Sequence, residues 1–346
     1  MYINFMSVEN KNVYVSWWLL LITFLVGLMI VVGGLTRLTD SGLSITKWDL
    51  FTGILPPFTL DDWEKSFSLY KKIPEYKLIN STMNLEEFKT IYWWEYIHRL
   101  LGRLIGILYL FPLLYFSLRK AIEKKSLISL YLILFLILLQ GFVGWYMVKS
   151  GLTERVDVSH YRLSIHLTLA FIIFILLFWQ YLKYSSLQFI EVKKKLPFNL
   201  PLIFMICLIF QISLGGLVSG LDAGQIYQTW PKMSENFFPN DSNYNDLLSL
   251  KLFDTPSLLQ FMHRNIAYFI FLLFCFIAFL IFKYNSFVHL RKTALLVFAL
   301  LILQIFLGIL TILSGAQIIF ASIHQIGSIF LITASLVLLF KNSRID

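Results

Sequence analysis

The stretch that decides the fold is WWLLLITFLVGLMIVVGGLT, residues 17–36, which carries no charged residue. A helix of about 20 mostly apolar residues is long enough to cross the hydrocarbon core of a bilayer. Seven further runs of this kind follow, and the eight together are roughly Trp17–Thr36, Trp94–Leu118, Leu127–Val148, Leu163–Leu182, Leu200–Leu221, Leu258–Phe282, Thr293–Ser314 and Gln317–Phe340. The sequence therefore predicts an all-α integral membrane protein of eight transmembrane helices.

The composition agrees with a membrane protein and excludes other classes. Of 346 residues, 58% are hydrophobic and 14% are charged, whereas about a quarter of a soluble domain is charged. The net charge of +9 lies in short clusters between apolar runs, which indicates a lipid membrane rather than nucleic acid as the partner. Both cysteines, Cys207 and Cys275, lie inside apolar runs. A loop disulfide and a thiolate metal cluster are therefore excluded, and any metal needs other ligands.

Basic residues predict the orientation in the membrane. They cluster after the second, fourth and sixth runs and in the tail, as Arg119, Lys120, Lys124 and Lys125; Lys183, Lys193, Lys194 and Lys195; Lys283, Arg291 and Lys292; and Lys341 and Arg344. The positive-inside rule places these segments and both termini in the cytoplasm. The longer loops Arg37–Trp93 and Asp222–Ser257 then face outward. Because the first run exceeds a signal-peptide core in length, we expect a retained helix in a bacterial plasma (inner) membrane.

The two halves of the sequence repeat each other. The matching residues are Gly33-Gly34-Leu35 with Asp40 and Gly42 against Gly215-Gly216-Leu217 with Asp222 and Gly224, 182 positions apart; Gln140, Gly144, Ser150 and Gly151 against Gln304, Gly308, Ser314 and Gly315, 164 apart; and His98-Arg99 against His263-Arg264, 165 apart. This order predicts two pseudo-symmetric four-helix bundles, residues 1–195 and 196–346, with one equivalent site in each.

Four histidines lie near the starts of the even-numbered runs: His98, His166, His263 and His324. Each is about 8 to 10 Å below the outer surface at ~1.5 Å per residue. Imidazole suits haem iron, and bundle cores are where such sites form. An intramembrane histidine can instead hydrogen-bond a neighbouring helix, but four at one depth in a repeated frame favour paired ligands near the outer face. The sequence holds no Cys-x-x-Cys-His, which predicts non-covalent haem.

The other two histidines are predicted to lie outside these sites. His160 precedes the fourth run without a counterpart in the repeat, and we interpret it as interfacial. His289 lies in a basic loop and is expected at the solvated surface.

Glu95 distinguishes the halves. It lies three residues before His98, where the other half has Gln260 before His263. Residues three apart share one helix face, so a general acid/base or cation-stabilising role beside one haem is expected. This places catalysis in the N-terminal half. The alternative is that Glu95 complements the positive end of a helix dipole in its first turn.

Arginines near the outer surface are candidates for binding haem propionates. Guanidinium binds carboxylate through two parallel hydrogen bonds. Contact with lipid headgroups is the alternative for each of them. The candidates are Arg37, Arg99, Arg103, Arg162 and Arg264.

The residues together resemble the signature segments of the haem A synthase family. The resemblance rests on Gly33-Gly34-Leu35-Thr36-Arg37-Leu38-Thr39 with Ser41-Gly42-Leu43-Ser44; Glu95-Tyr96-Ile97-His98-Arg99 with Gly102-Arg103; Tyr161-Arg162-Leu163 with His166-Leu167; and Phe261-Met262-His263-Arg264 with His324-Gln325. It extends over all eight predicted helices. It implies successive hydroxylations that convert the C8 methyl group of haem O into the formyl group of haem A, which terminal oxidases use.

The resemblance also implies roles for the histidines and for Glu95. His98 and His166 would flank the substrate haem, Glu95 would be the essential acid, and His263 and His324 would bind a haem b cofactor, with O2 as oxidant. Haem O synthase is implied as substrate donor, together with an unidentified electron donor, assembly factors of the terminal oxidase and a possible homo-oligomer. Because the first outer loop lacks a cysteine pair, the chain resembles the cysteine-free, mitochondrial-like branch.

Two other functions remain open at the level of sequence. A di-haem b-type electron-transfer protein would use all four histidines as ligands of carriers, but it would not require the difference between Glu95 and Gln260. A transporter built on a four-helix repeat is less favoured, because the repeats are parallel and no helix pair is evidently broken at the midplane.

Overall fold

A computed structural model describes residues 8–47, 54–154, 156–185 and 194–343. Within these residues the chain forms ten α-helices, with several short 3-10 helices between them. The helices are α1 Val8–Leu38, α2 Leu60–Tyr70, α3 Pro74–Leu78, α4 Leu85–Leu118, α5 Lys124–Glu154, α6 His160–Tyr184, α7 Leu200–Gly220, α8 Pro256–Lys283, α9 Arg291–Leu313 and α10 Ile318–Ser343.

Eight of these helices, α1 and α4 to α10, are long and apolar enough to cross a membrane. This confirms the predicted number of spanning helices. Of the basic residues used to predict orientation, Lys193 and Arg344 lie outside the described residues.

The predicted boundaries differ most at two starts: α1 begins at Val8 rather than Trp17, and α4 begins at Leu85 rather than Trp94. The side chain of Asn84 accepts hydrogen bonds from the backbone N–H groups of Glu86 and Glu87, at 2.9 and 3.0 Å. The Glu87 carboxylate in turn accepts from the N–H of Asn84 at 2.9 Å. This capping box begins the helix two turns before its apolar part. Glu95 therefore lies in the third turn of α4, and its interpretation as a first-turn acid is wrong.

The first predicted outer loop contains the two short helices α2 and α3. Aromatic residues of α2 pack against the beginning of α4: the Phe67 and Phe88 rings stack with centroids 5.0 Å apart, and Trp63 meets Tyr92 edge-on at 5.0 Å. All four side chains are buried. The loop is thus a packed structure beside the histidine-bearing helix, and its apolar contacts hold it there.

The chain divides into two compact units, Met1–Phe174 and Ile175–Asp346. In the second unit α7 contacts α8, α8 contacts α9, α9 contacts α10, and α10 returns to α7. These four helices form a closed bundle of the kind that places inward-facing side chains around one core. The boundary between the units lies within α6, before the predicted boundary at residue 195. The assignment of one haem to each half stays a prediction.

Candidate functional site

The first pair of histidines meets inside the first unit. His98 on α4 and His166 on α6 have ring centroids 6.4 Å apart, with the ring planes at 58°. A metal lies about 2 Å from an imidazole nitrogen, so this separation suits a single ion bound by both rings. Both rings are half-buried. The predicted pairing of these two helices is therefore present in the structure.

The second pair lies in the bundle of the second unit. His263 on α8 and His324 on α10 are both half-buried, and α8 and α10 each contact both α7 and α9. Among the described residues, no group of three or more histidine, cysteine or acidic side chains is arranged to hold a metal ion. Any metal at either pair would therefore take only two protein ligands, and other donors would have to complete its coordination.

A glycine on the preceding spanning helix makes room for each imidazole. A Cβ built on Gly144 would lie 2.9 Å from Cε1 of His166, and one on Gly308 would lie 3.0 Å from Cε1 of His324. A Cβ on Gly215 would lie 3.3 Å from Cε1 of His263, and one on Gly33 would lie 3.1 Å from Nε2 of His98. Any larger side chain at the closest of these positions would displace the ring.

Three of the four histidines are also held through their backbone. In each, a glutamine four residues before the glycine donates its side-chain N–H to the histidine carbonyl, and we name this bond the Gln–His contact. The three contacts are Gln140 to His166 at 3.0 Å, Gln211 to His263 at 2.9 Å and Gln304 to His324 at 2.8 Å. A buried carbonyl gains a second donor in this way, which fixes the distance between neighbouring helices.

Glu95 is buried and fully engaged. Its Oε2 accepts a hydrogen bond from the Ser44 hydroxyl at 2.7 Å and one from the Ile45 backbone N–H at 2.7 Å. Its Oε1 forms an ion pair with Arg99, whose Nε lies 3.0 Å away. Arg99 also donates to the carbonyl of Ile45 at 2.9 Å. The carboxylate is thus fixed by the segment after α1 and by its own helix.

The equivalent residues of the second unit make a different set of bonds. Gln260 donates to the carbonyl of Tyr227 at 3.0 Å. Arg264 donates to the carbonyls of Tyr227 and Thr229 at 2.9 and 2.8 Å. The neutral amide and the arginine therefore bind the loop before α8 directly, without an ion pair between them. The predicted asymmetry of the halves extends to their hydrogen bonds.

Comparison with known proteins shows the family to which the chain belongs. The family model described as cytochrome oxidase assembly protein matches residues 16–336. The Heme A synthase of Pelagibacter ubique (strain HTCC1062) is 50% identical over 343 residues, which cover 98% of this chain and all of the relative. Those of Rickettsia bellii (strain OSU 85-389) and Rickettsia felis (strain ATCC VR-1525 / URRWXCal2) are 43% and 42% identical, each over 91% of this chain and 94% of the relative. The chain belongs to the haem A synthase family.

The histidine pairs of this haem A synthase family member fit a haem. Each pair, His98 with His166 and His263 with His324, would supply two imidazole ligands to a haem iron, and the porphyrin would supply the remaining ones. The Nδ1 atoms of His166, His263 and His324 are buried and have no hydrogen-bond partner among the described residues. Unpartnered buried nitrogens are costly in the protein alone, and ligation with its accompanying polar contacts would offset that cost.

The predicted propionate-binding arginines occupy several different environments. Arg37 forms an ion pair with Asp40 at 2.8 Å. Arg162 stacks over the Tyr146 ring at 4.6 Å and donates to the Ser150 hydroxyl. Arg103 follows Arg99 by one turn of α4. Arg264 already binds backbone carbonyls through two of its nitrogens, which leaves it fewer donors for a propionate. The propionate contacts stay predictions.

The two remaining histidines differ from their predicted surroundings. His160 is buried at the start of α6, with its ring 4.1 Å from that of Tyr161. His289 is half-buried and its Nε2 is inaccessible to solvent, so the expectation of a solvated surface residue was wrong. The physical reason is the short 3-10 helix Asn285–Leu290. It buries Phe287 and Leu290 on either side of His289 in the chain.

Sequence reasoning missed two features of this site. The spacing Gln-x-x-x-Gly, present at Gln140, Gln211 and Gln304, would have revealed the glutamines as a set. The donation from Ser44 and Ile45 to Glu95 had no such signal, because the bonded residues are about fifty positions apart.

Proposed function

We propose that this chain oxidises the C8 methyl group of haem O to the formyl group of haem A by successive hydroxylations. Membership of the haem A synthase family over almost the whole chain supports this activity. The observations that support it at the level of the site are the His98–His166 pair and the fixed carboxylate of Glu95, which lies three residues before His98 on α4. The enzyme would thus be a multi-pass plasma membrane oxidoreductase that serves the biogenesis of terminal oxidases.

The histidine pairs would divide the haems between them. His98 and His166 would hold the substrate haem, and His263 and His324 would hold a haem b cofactor without a covalent bond. The bound haem would supply the redox chemistry needed to use O2. The protein contributes two pairs of imidazoles, each ring packed closely against a glycine of a neighbouring helix. It would thereby orient the substrate and exclude bulk water from it.

Glu95 is the proposed catalytic residue. Its carboxylate is held by hydroxyl, amide and guanidinium donors, so little reorganisation is needed when charge develops nearby. In this position it would stabilise positive charge at the substrate methyl carbon or accept a proton from it. Gln260 at the equivalent position carries no charge, which supports assigning only electron transfer to the second site.

The overall reaction sets the requirements for partners. Each hydroxylation consumes one O2, two electrons and two protons and releases one water, and the doubly hydroxylated carbon loses a further water to become the aldehyde. An external electron donor is therefore needed. Haem O synthase is the proposed source of substrate, and assembly factors of the terminal oxidase are the proposed acceptors of the product. A homo-oligomer is compatible with this scheme.

The proposed topology follows from the basic segments. Both termini would be cytoplasmic, the two four-helix halves 1–195 and 196–346 would be pseudo-symmetric, and the haem sites would lie near the outer face. The first outer loop contains no cysteine, so the chain would belong to the cysteine-free, mitochondrial-like branch. Electron delivery through a loop thiol pair is then excluded.

The decisive experiment is expression in a host that makes haem O but no haem A. Haems are extracted from the membranes and identified by mass, with the chain expressed alone and with added haem O synthase. We expect haem A only when the chain is present, and more of it with the added synthase. Recovery of only haem B and haem O from a well-expressed, folded protein would contradict the proposed function.

A further inference from the structure

Arg264 is a buried cation that lacks a counter-charge. It follows His263 on α8 and is 6% exposed. Its guanidinium donates to the backbone carbonyls of Tyr227, Thr229 and Lys232, at 2.9, 2.8 and 3.3 Å. Its Nε is buried and has no hydrogen-bond partner. In the part of the chain that the structure describes, no carboxylate forms an ion pair with it.

The equivalent arginine of the first unit is neutralised. Arg99 follows His98 and forms an ion pair with the carboxylate of Glu95, four residues earlier on α4. The residue four positions before Arg264 is Gln260, whose amide carries no charge. At these matched positions the first unit therefore holds one positive and one negative charge, whereas the second unit holds one positive charge alone.

This difference has an electrostatic consequence for the second histidine pair. The carbonyl dipoles that bind Arg264 cancel only part of its charge, and a buried charge is screened much less than one at the surface. Reduction of a haem held by His263 and His324 adds one electron to the iron and requires no proton. A positive charge nearby favours the state that has gained this electron. Arg264 should therefore stabilise the reduced form over the oxidised form.

Resting on the proposed function, we propose that the uncompensated charge of Arg264 raises the reduction potential of the cofactor haem, and that Gln260 preserves this charge where the first unit has Glu95. A raised potential lets the cofactor haem accept electrons from the external donor that the proposed reaction requires. Propionates do not alter the comparison of the two units, because both haems carry them. Arg264 is a positioning residue, since it acts through its electric field and does not touch the reacting atoms.

The test is a redox titration of the purified protein with bound haem b, prepared from a host that makes no haem O. Dithionite and ferricyanide supply and remove the electrons through soluble mediators, and the visible spectrum reports the fraction of reduced haem. Arg264→Gln removes the charge but keeps an amide that can donate to the loop carbonyls. At a fixed potential we expect the ratio of reduced to oxidised haem to fall about tenfold, the order expected for one charge about 10 Å away at an effective dielectric constant of about 20.

Three further variants separate charge from hydrogen bonding. Arg264→Lys keeps the positive charge but loses the planar set of donors, so its midpoint potential should stay close to that of the wild type. Gln260→Glu leaves the arginine in place and adds a carboxylate at the spacing of the Glu95–Arg99 ion pair, so it should lower the potential. Lys251→Gln removes an exposed cation from the same outer loop and should leave the potential unchanged, because solvent and salt screen that charge.

Two results would overturn the inference. One is an unchanged midpoint potential in Arg264→Gln that retains its haem. The other is an equal decrease in Arg264→Gln and Arg264→Lys, because the hydrogen bonds and not the charge would then be responsible. If Arg264→Gln does not fold or loses its haem, Gln260→Glu decides, since an unchanged potential in that variant is equally contradictory.

These outcomes are distinguishable from failure of the proposed function, because the titration requires neither substrate nor haem A formation. Unchanged potentials in an enzyme that forms haem A overturn only the role of Arg264. The expected shifts in a protein that forms no haem A overturn the proposed activity and leave the effect of the charge standing. A folded wild-type protein that never co-purifies with haem b overturns both.

Discussion

The hydroxyl of Ser44, just beyond α1, donates to the carboxylate of Glu95, in the third turn of α4, at 2.7 Å. The bond joins the segment that follows α1 to α4, through the residue that the sequence predicted to be the catalytic acid. Because the other oxygen of Glu95 pairs with Arg99, the carboxylate has both a structural and a chemical role. Experiments on Glu95 must therefore distinguish its structural role from its chemical role.

Glu95→Gln is expected to abolish most haem A formation while haem O remains bound. The amide preserves size and can still accept from Ser44, but it cannot stabilise positive charge. The variant should also unfold more easily, since Arg99 loses its counter-charge in a buried position. The measurements are haem composition by mass and thermal unfolding in detergent.

The matched control for Glu95→Gln is Arg99→Gln, which breaks the same ion pair but keeps the carboxylate. We expect it to lose a similar amount of stability and to retain more haem A formation. Full haem A production by Glu95→Gln would show that the acid is only structural.

The four histidines are expected to separate into two classes. His263→Ala and His324→Ala should reduce the haem b that co-purifies with the protein, whereas His98→Ala and His166→Ala should mainly reduce bound haem O and haem A formation. Pigment extraction and Soret absorbance report both quantities. Equal loss of both haems in all four variants would argue against a division between substrate and cofactor sites.

Gly144→Ala is expected to lower the haem content of the first site. The new methyl group would lie 2.9 Å from Cε1 of His166, and overpacking of this kind costs about 1 to 3 kcal/mol. The control is Gly141→Ala, one turn earlier on the same helix, where a Cβ meets nothing within 4 Å. That variant should keep its haem and gain stability from the better helix propensity of alanine. Equal haem content in the two variants would contradict the close packing of glycine and imidazole.

Glu75, in the first outer loop, is expected to make stability depend on pH. Its side chain is 5% exposed and its Oε2 has no hydrogen-bond partner. Burial, the largest cause, and the negative charges of Glu95, Asp40 and Asp157 together raise the pKa of Glu75 from 4.5 to about 8, against a hydrogen bond from Tyr70 that lowers it. The folded protein therefore holds a proton here that the unfolded chain releases near pH 4.5.

The sign of this effect follows from the raised pKa. The contribution of Glu75 to stability is fully present below about pH 4.5 and is lost as pH rises toward about 8, by up to about 1.4 kcal/mol per pH unit. Glu75→Gln should flatten this part of the profile of thermal unfolding against pH. Glu64→Gln, an exposed carboxyl group on α2, is the control and should not change it. An identical slope for Glu75→Gln and the wild type would refute the prediction.

The sequence alone was sufficient to predict the eight spanning helices. Each spanning helix can be recognised from its own run of about 20 apolar residues. The bilayer offers no hydrogen-bond partners to the backbone, so such a run must form a helix. It also identified the four histidines and Glu95, since polar residues are costly at such depths and stand out against Leu, Ile and Phe.

The tertiary structure alone decided what fixes these residues. Ser44 and Ile45 bind Glu95 across about fifty positions, and the start of α4 depends on the capping residues Asn84 and Glu87 rather than on hydropathy. Gln140, Gln211 and Gln304 can be read from the sequence, but their role became evident only from the distance between each glutamine amide and a histidine carbonyl. Membrane insertion is a property of one segment at a time, whereas hydrogen bonds between segments depend on which helices become neighbours, and that is settled only by packing.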